Sequence, residues 1–303
     1  MFERTAQIVA IGEILWDVFP EGERLGGAPF NFAAQAAGLG HETALLSAVA
    51  EDDRGRRALA EAHRLAVATE LVRTVEAPPT GYVTVSVDDG GQPDYVIHRP
   101  AAYDRVELTD EAAEAIHRDP PEWIYFGTLL QTDPAALETT LRLLDAAPKA
   151  RRLYDVNLRK DSYSRELLAR LLPLATVLKI NGDEAAEVRR QFGEPASDIE
   201  TFAREYTERY GYEGVCATLG ADGCYVLWNG SEEVRAESYP VTVRDAVGAG
   251  DAFAAAFVHG VSSGWTTERT ADFANRVGSL IASRSGAVPV WTVAEAMALE
   301  RGG

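Results

Sequence analysis

From residue 109 onward, short apolar runs alternate with amphipathic ones, and this alternation leaves few folds open. Runs at 123–126, 153–156, 177–180 and 215–219 read as buried strands, and 134–147, 165–172 and 183–192 between them carry helical periodicity. Strands separated by helix-length crossovers run parallel, because the crossover returns the chain to the same end of the sheet. The expected fold class is α/β, a doubly wound, mostly parallel sheet with helices on both faces. Upstream, 7–11 reads as a first strand closed by Gly12. A helix begins near Asn31, 43–49 is a further strand, and 54–65 is a charged helix. Helices at 252–259 and 268–283 close the chain.

Two segments, 13–25 and 80–105, break this rhythm. Residues 82–87 and 94–98 alternate in polarity and flank Asp88-Asp89-Gly90-Gly91, a hairpin signal. The expectation is one domain over 1–303, with these segments inserted as a small β-rich lid.

The formal net charge is −18, which argues against nucleic-acid or acidic-membrane partners, since both need a basic surface. No stretch approaches a membrane span, and 1–11 lacks the pattern of a secretory leader, so a cytoplasmic protein is expected. Cys216 and Cys224 form no metal spacing and read as buried thiols.

Several motifs fail on context. His117-Arg118-Asp119 lacks the asparagine that should follow in a protein kinase. Gly260-x-Ser262-x-Gly264 follows a helix where a nucleophile elbow needs a strand. No Gly-Lys dipeptide exists, so there is no Walker A loop. Phe253 stands where a dinucleotide fold needs its third glycine.

Three motifs survive. Asp245-Ala-Val-Gly-Ala-Gly-Asp251 opens a helix, placing backbone N–H groups that suit an anion beside a carboxylate that suits a base. Phosphoryl transfer to a hydroxyl needs that pairing, although a plain capped helix would look similar. Gly26-Gly-Ala-Pro-Phe-Asn31 lets a polar ligand approach the backbone, with an amide that both donates and accepts. Asn181-Gly-Asp-Glu184 follows a strand, where an amide and a carboxylate can hold hydrated magnesium and phosphate or simply start a helix.

In this order the three motifs resemble those of the ribokinase-like sugar kinases, the phosphofructokinase-B family, over essentially the whole chain. Gly12-Glu13…Asp17, Arg99-Pro-Ala-Ala-Tyr-Asp104 and Asp155-Val-Asn-Leu-Arg159 resemble the fructokinase branch. Ala246 departs from the threonine of many members.

The resemblance implies a phosphotransferase using ATP and Mg2+. Asp251 would be the general base, and the N–H groups of Val247, Gly248, Ala249 and Gly250 an anion hole for the γ-phosphoryl. Asp17, Gly27, Asn31 and Arg99 would bind the sugar, although Arg99 reads equally as a solvated strand residue. Asn181, Thr218, Gly220, Gly223 and Asn275 would bind the nucleotide, and Glu184 would hold magnesium largely through water. Arg159 would neutralise phosphate or make a surface ion pair. Carbonyls of Asp245 and Val247, with the loop 281–286, would take a monovalent cation such as K+.

The implied substrate is D-fructose. A 2-keto-3-deoxygluconate, ribose or nucleoside kinase is the alternative, and a sugar-sensing binding protein of the same fold is the non-enzyme reading. A lid edge strand could pair with its twin to make a homodimer.

Overall fold

The computed structural model describes residues 7–87 and 93–301. In chain order the strands are β1 (Gln7–Ile11), β2 (Leu15–Phe19), β3 (Gly22–Gly26), β4 (Glu42–Ala50), β5 (Val67–Ala68), β6 (Val72–Val75), β7 (Gly81–Val87) and β8 (Pro93–Ile97). They continue as β9 (Trp123–Gly127), β10 (Arg151–Asp155), β11 (Val177–Asn181), β12 (Gly214–Thr218), β13 (Cys224–Trp228) and β14 (Glu232–Ala236). The helices are α1 (Ala28–Gly38), α2 (Asp53–Arg64), α3 (Asp110–Arg118), α4 (Pro134–Ala146) and α5 (Arg165–Leu171). After them come α6 (Gly182–Phe192), α7 (Ile199–Tyr210), α8 (Ala249–Ser262), α9 (Thr267–Ala282) and α10 (Val293–Met297).

The main sheet runs β14-β13-β12-β11-β10-β9-β1-β4-β5, with β6 also paired to β4. It is parallel from β12 through β5, as the crossover argument requires. β13 and β14 return antiparallel, a hairpin that the alternation did not anticipate. Side chains alternate across the strands and build two cores. Ile124, Phe126, Tyr154 and Leu178 face one side, and Trp123, Tyr125, Leu153 and Val177 face the other with α1, α8 and α9.

Both motif helices start earlier than the sequence suggested. α1 begins at Ala28 because Pro29 fits a first turn, where its missing N–H costs nothing. α8 begins at Ala249, which brings Asp251 inside its first turn. Gly260 to Ser262 is the C-terminal end of α8, and Ser262 Oγ accepts the Trp123 indole N–H at 2.9 Å.

A second, four-stranded sheet has the order β3-β2-β7-β8. β2 and β3 form an antiparallel hairpin, β7 and β8 another, and β2 joins them in parallel with β7. The turn Asp88 to Gly91 lies outside the described residues. Among those described, no helix is long and apolar enough to cross a membrane. Cys216 and Cys224 are buried and unbridged.

Beneath α8, the main sheet carries an ion pair. Lys179 on β11 stands directly opposite Asp155 on β10, and its Nζ lies 3.0 Å from Asp155 Oδ1. Tyr125 OH donates to the other oxygen at 2.9 Å, and Asp155 is fully buried. Removing one partner strands a buried charge, whereas removing both does not. Lys179→Met should therefore lower the unfolding free energy by about 3–5 kcal/mol in a denaturant titration. The Lys179→Met/Asp155→Asn double variant should recover most of it, and equal losses in both would contradict this account.

Candidate active site

The chain leaves β1 toward β4 on one side and, after β9, continues toward β12 on the other. The topological switch point thus lies between β1 and β9, and open α/β sheets bind ligands at the carboxyl ends of the strands there. Glu13 follows β1, Asp155 ends β10 and Asn181 ends β11, so all three stand on this edge.

Asp251 projects over the same edge from the first turn of α8 and is buried. Asn31, in the first turns of α1, donates from Nδ2 to Asp251 Oδ2 at 2.9 Å. Asn31 Oδ1 is also buried and has no partner. Burial raises the Asp251 pKa to about 6, and the Asp155 charge adds to the shift. Lys179, the Asn31 hydrogen bond and Arg159 oppose it.

The turn before α8 is built for close approach. Gly248 is its N-cap with φ +80°, and a side chain there would strike the Ala287 backbone. No side chain caps the helix. Two of the four expected anion-hole donors are occupied: Val247 N donates to Asp245 Oδ1 at 3.1 Å, and Ala249 N to Ala246 O at 3.2 Å. Gly250 and Asp251 sit in a first turn, whose N–H groups have no carbonyl within the helix to receive them. Gly250 also lies close over Lys179, since a Cβ there would be 3.1 Å from Nζ.

Asn181 and Glu184 form a reciprocal capping box at the start of α6. Glu184 Oε2 accepts Asn181 N at 2.9 Å, and Oε1 accepts Leu158 N at 2.9 Å. Burial raises the Glu184 pKa, and the Lys179 charge opposes the rise. A carboxylate has about four lone-pair sites, so both oxygens keep capacity for water. Among the described residues, no cluster of three or more His, Cys, Asp or Glu side chains could hold a metal on its own. With both oxygens already accepting backbone N–H groups, Glu184 could hold a magnesium ion through the ion's waters.

A second group of charges lies toward the small sheet. Asp17 on β2 is half-buried, and burial raises its pKa to about 6, with Arg159 opposing and Asp245 adding. Arg159 is exposed, and its charge also favours ionisation of Glu13 and Asp251. Arg24 on β3 reaches Asp245 Oδ2 at 3.3 Å. That oxygen also accepts Gly286 N at 3.0 Å, while Asp245 N donates to Ala282 O at 3.2 Å. The loop carrying Asp245 and Val247 is thus stitched to 282–286.

Other candidate residues stand apart from Asp251. Arg99 gives its donors to Asp104, Leu129 O and Thr132 Oγ1, bracing the base of the second sheet against the loop after β9. Thr218 ends β12, and the turn through Gly220 and Gly223 folds against residues 236–238. Asn275 fastens the same stretch by donating to Ala236 O at 3.0 Å and Glu237 O at 3.3 Å. Sequence reasoning had no role for Tyr125, Lys179 or Arg24. A charged residue inside an apolar strand of a parallel sheet is the signal that could have found Lys179, whereas Asp155 was named only as part of the 155–159 run.

Comparisons with known proteins give the family. The pfkB family carbohydrate kinase profile matches residues 12–293. A fructokinase of Escherichia coli is 28% identical over 305 residues, covering 94% of this chain and 95% of that one. A 2-dehydro-3-deoxygalactonokinase of Haloferax volcanii is 30% identical over 329 residues, covering 99% and 98%. The crystal structure of an uncharacterized sugar kinase from Pyrococcus horikoshii in complex with ATP superposes with a TM-score of 0.78. Its identity is 25%, covering 93% of this chain and 94% of that one. With Asp251 in the first turn of an uncapped helix at the switch point and a family match over most of its length, the chain belongs to the pfkB family of carbohydrate kinases and is a phosphotransferase acting on sugar hydroxyls.

Proposed function

We propose that the chain is an ATP-dependent fructokinase with Asp251 as general base. The observation that carries the site assignment is the Asn31–Asp251 pair. Nδ2 fixes the carboxylate, and the buried, unpartnered Oδ1 beside it awaits an O–H donor. Leaving such an acceptor unsatisfied costs about 1–3 kcal/mol, which a sugar hydroxyl would relieve. Asp17, close to Arg159 and Asp245, would accept from further hydroxyls, and Gly27 would meet the sugar through its backbone. The fructokinase relative supports D-fructose as the sugar.

In this reading Asp251 takes the hydroxyl proton as the oxygen attacks the γ-phosphoryl, whose bond to the β–γ bridging oxygen breaks to release ADP. The Gly250 and Asp251 N–H groups receive charge developing on the phosphoryl oxygens. Asn181, Thr218, Gly220, Gly223 and Asn275 line the nucleotide, Glu184 orients the waters of magnesium, and Arg159 faces the phosphates. Magnesium, when bound, neutralises phosphate charge. The stitched loops at 245–247 and 282–286 support a monovalent cation held by the Asp245 and Val247 carbonyls. The second sheet acts as a lid within a single domain and excludes water as a competing acceptor. Tyr95 and Val96, exposed on its edge strand β8, support a homodimer through that sheet.

One observation favours a second reading. Arg99 is engaged with Asp104, whereas Arg159 is exposed among the site carboxylates and could pair with the carboxylate of a keto-deoxy sugar acid. ADP release should be measured with fructose, 2-keto-3-deoxygluconate, ribose and adenosine, with and without potassium. The highest kcat/KM is expected with fructose. A higher value with the keto acid would favour the second reading, and no turnover on any would favour a sensor.

Asp251→Asn should lower kcat by about 10²–10⁴ while ATP binding survives. The carboxyl is pushed from 3.8 up to about 6, so the folded state holds its proton more tightly than the unfolded one. The wild-type carboxylate therefore costs stability above pH 6 and nothing below 3.8. The inactive variant should be more stable than wild type at pH 8, by roughly 2–3 kcal/mol, and lose that advantage near pH 4. Thermal melts at the two pH values decide it, and near-wild-type turnover in a clean preparation would refute the base assignment.

A further inference from the structure

Glu13 has no part in the reaction just described, yet it is one of the most buried carboxyls near Asp251. It sits in the turn between β1 and β2, 5% exposed. Its Oε1 accepts the N–H of Ala28, the first residue of α1, at 3.3 Å. α1 needs that acceptor. Its N-cap is Gly27, which has no side chain to cap with, and Pro29 supplies no N–H of its own. Glu13 is thus a cap delivered from 15 residues upstream.

The contact reaches both ends of the sugar motif. Gly27 has φ +107°, and a Cβ there would run into the Glu13 carbonyl oxygen and come within 3.3 Å of its Cγ. Asn31 closes the same turn, donating its N–H to Gly27 O at 2.8 Å and its Nδ2 to Asp251. A displacement of Glu13 moves the turn on which Gly27 and Asn31 are mounted.

We propose that Glu13 is a positioning residue for the sugar: its carboxylate holds the first turn of α1, with Gly27 and Asn31, against Asp251, so that sugar affinity follows Glu13 ionisation. This deepens the sugar-kinase reading and rests on it. The ionised form is the better acceptor for Ala28 N–H, because hydrogen bonds to a charged acceptor are the stronger ones. Burial raises the Glu13 pKa to about 7; its own backbone N–H, Arg159 and Ala28 oppose the rise, and Asp251 adds to it. The phenols of Tyr103 and Tyr125 also face it, and both are held neutral, chiefly by burial. The carboxyl therefore changes state close to neutrality.

The test separates sugar KM from kcat. In wild type, KM for the sugar should rise about tenfold as pH falls from 8 to 6, the size expected for weakening one charge-assisted hydrogen bond. In Glu13→Gln, KM should be flat over that range and close to the acid-side wild-type value, while the Asp251 limb in kcat remains. Two further measurements need no turnover. In carbon-13-labelled protein the Glu13 carboxyl should titrate near 7, and the Ala28 amide should lose exchange protection over the same interval. These arms use wild-type protein, so they stand even if the variant does not fold. An unchanged KM–pH slope in Glu13→Gln, or a Glu13 titration near 4.5 with constant Ala28 protection, overturns the proposal. Absence of turnover on any sugar would sink the kinase reading, leaving the titration and exchange to decide whether Glu13 holds α1.

Discussion

A single hydrogen bond spans 220 positions of sequence and makes the site one object. Asn31 belongs to α1 and Asp251 to α8, and their side chains meet at 2.9 Å over the strand ends. The two helices pack on the same face of the main sheet, through Phe30, Phe32, Phe253 and Phe257. Packing sets the distance between the helices, and the amide fixes which carboxylate oxygen is left to work. Neither motif is complete without the other, because Asn31 fixes one oxygen of the buried Asp251 and keeps an unpaired acceptor beside it.

That arrangement concentrates charge where solvent is scarce. Asp251, Glu13 and Asp155 are all buried; Asp155 repels Asp251 and Asp251 repels Glu13, while Lys179, Arg159 and the hydrogen bonds from Asn31 and Ala28 temper them. Fields of this kind raise carboxyl pKa values toward the range where a base can take a proton and release it again. The apolar cores on both faces of the sheet offset the electrostatic strain. A buried ion pair is seldom a net source of stability, so Lys179 and Asp155 are better understood as part of the site's electrostatic frame than as a fastening for the fold.

Much of this was legible in the sequence. The parallel strands follow from apolar runs separated by helical ones, since a strand covered on both faces leaves no room for polar alternation. The hairpin β13–β14 escaped because the rhythm ends there, at an antiparallel edge that needs no crossover helix. Both motif helices were expected too late, because Gly, Ala and Pro in a first turn look like loop until tertiary contacts fix them. Asp251 and Asn31 could be singled out as site residues. The bond between them could not, since it depends on how α1 and α8 cross the sheet. Arg99 read equally well as a sugar ligand or as a solvated strand residue, whereas it lies past the end of β8, partly buried, with its donors taken by Asp104 and Leu129 O.

Consecutive residues of β3 face opposite ways, and each is tied to a different part of the molecule. Glu23 takes Arg54 and Arg57 of α2, and Arg24 takes Asp245 beside the α8 turn. The second sheet is therefore strapped to the body by charges that solvent still reaches in part. Dissolved ions weaken such straps, since charge attraction fades over about 3 Å in molar salt, but reach the enclosed carboxylates far less. Brine would loosen the attachment of the small sheet and screen the exposed Arg159 that favours ionisation of Glu13 and Asp251, while the enclosed Lys179–Asp155 pair feels it far less, so ionic strength and acidity meet at Arg159.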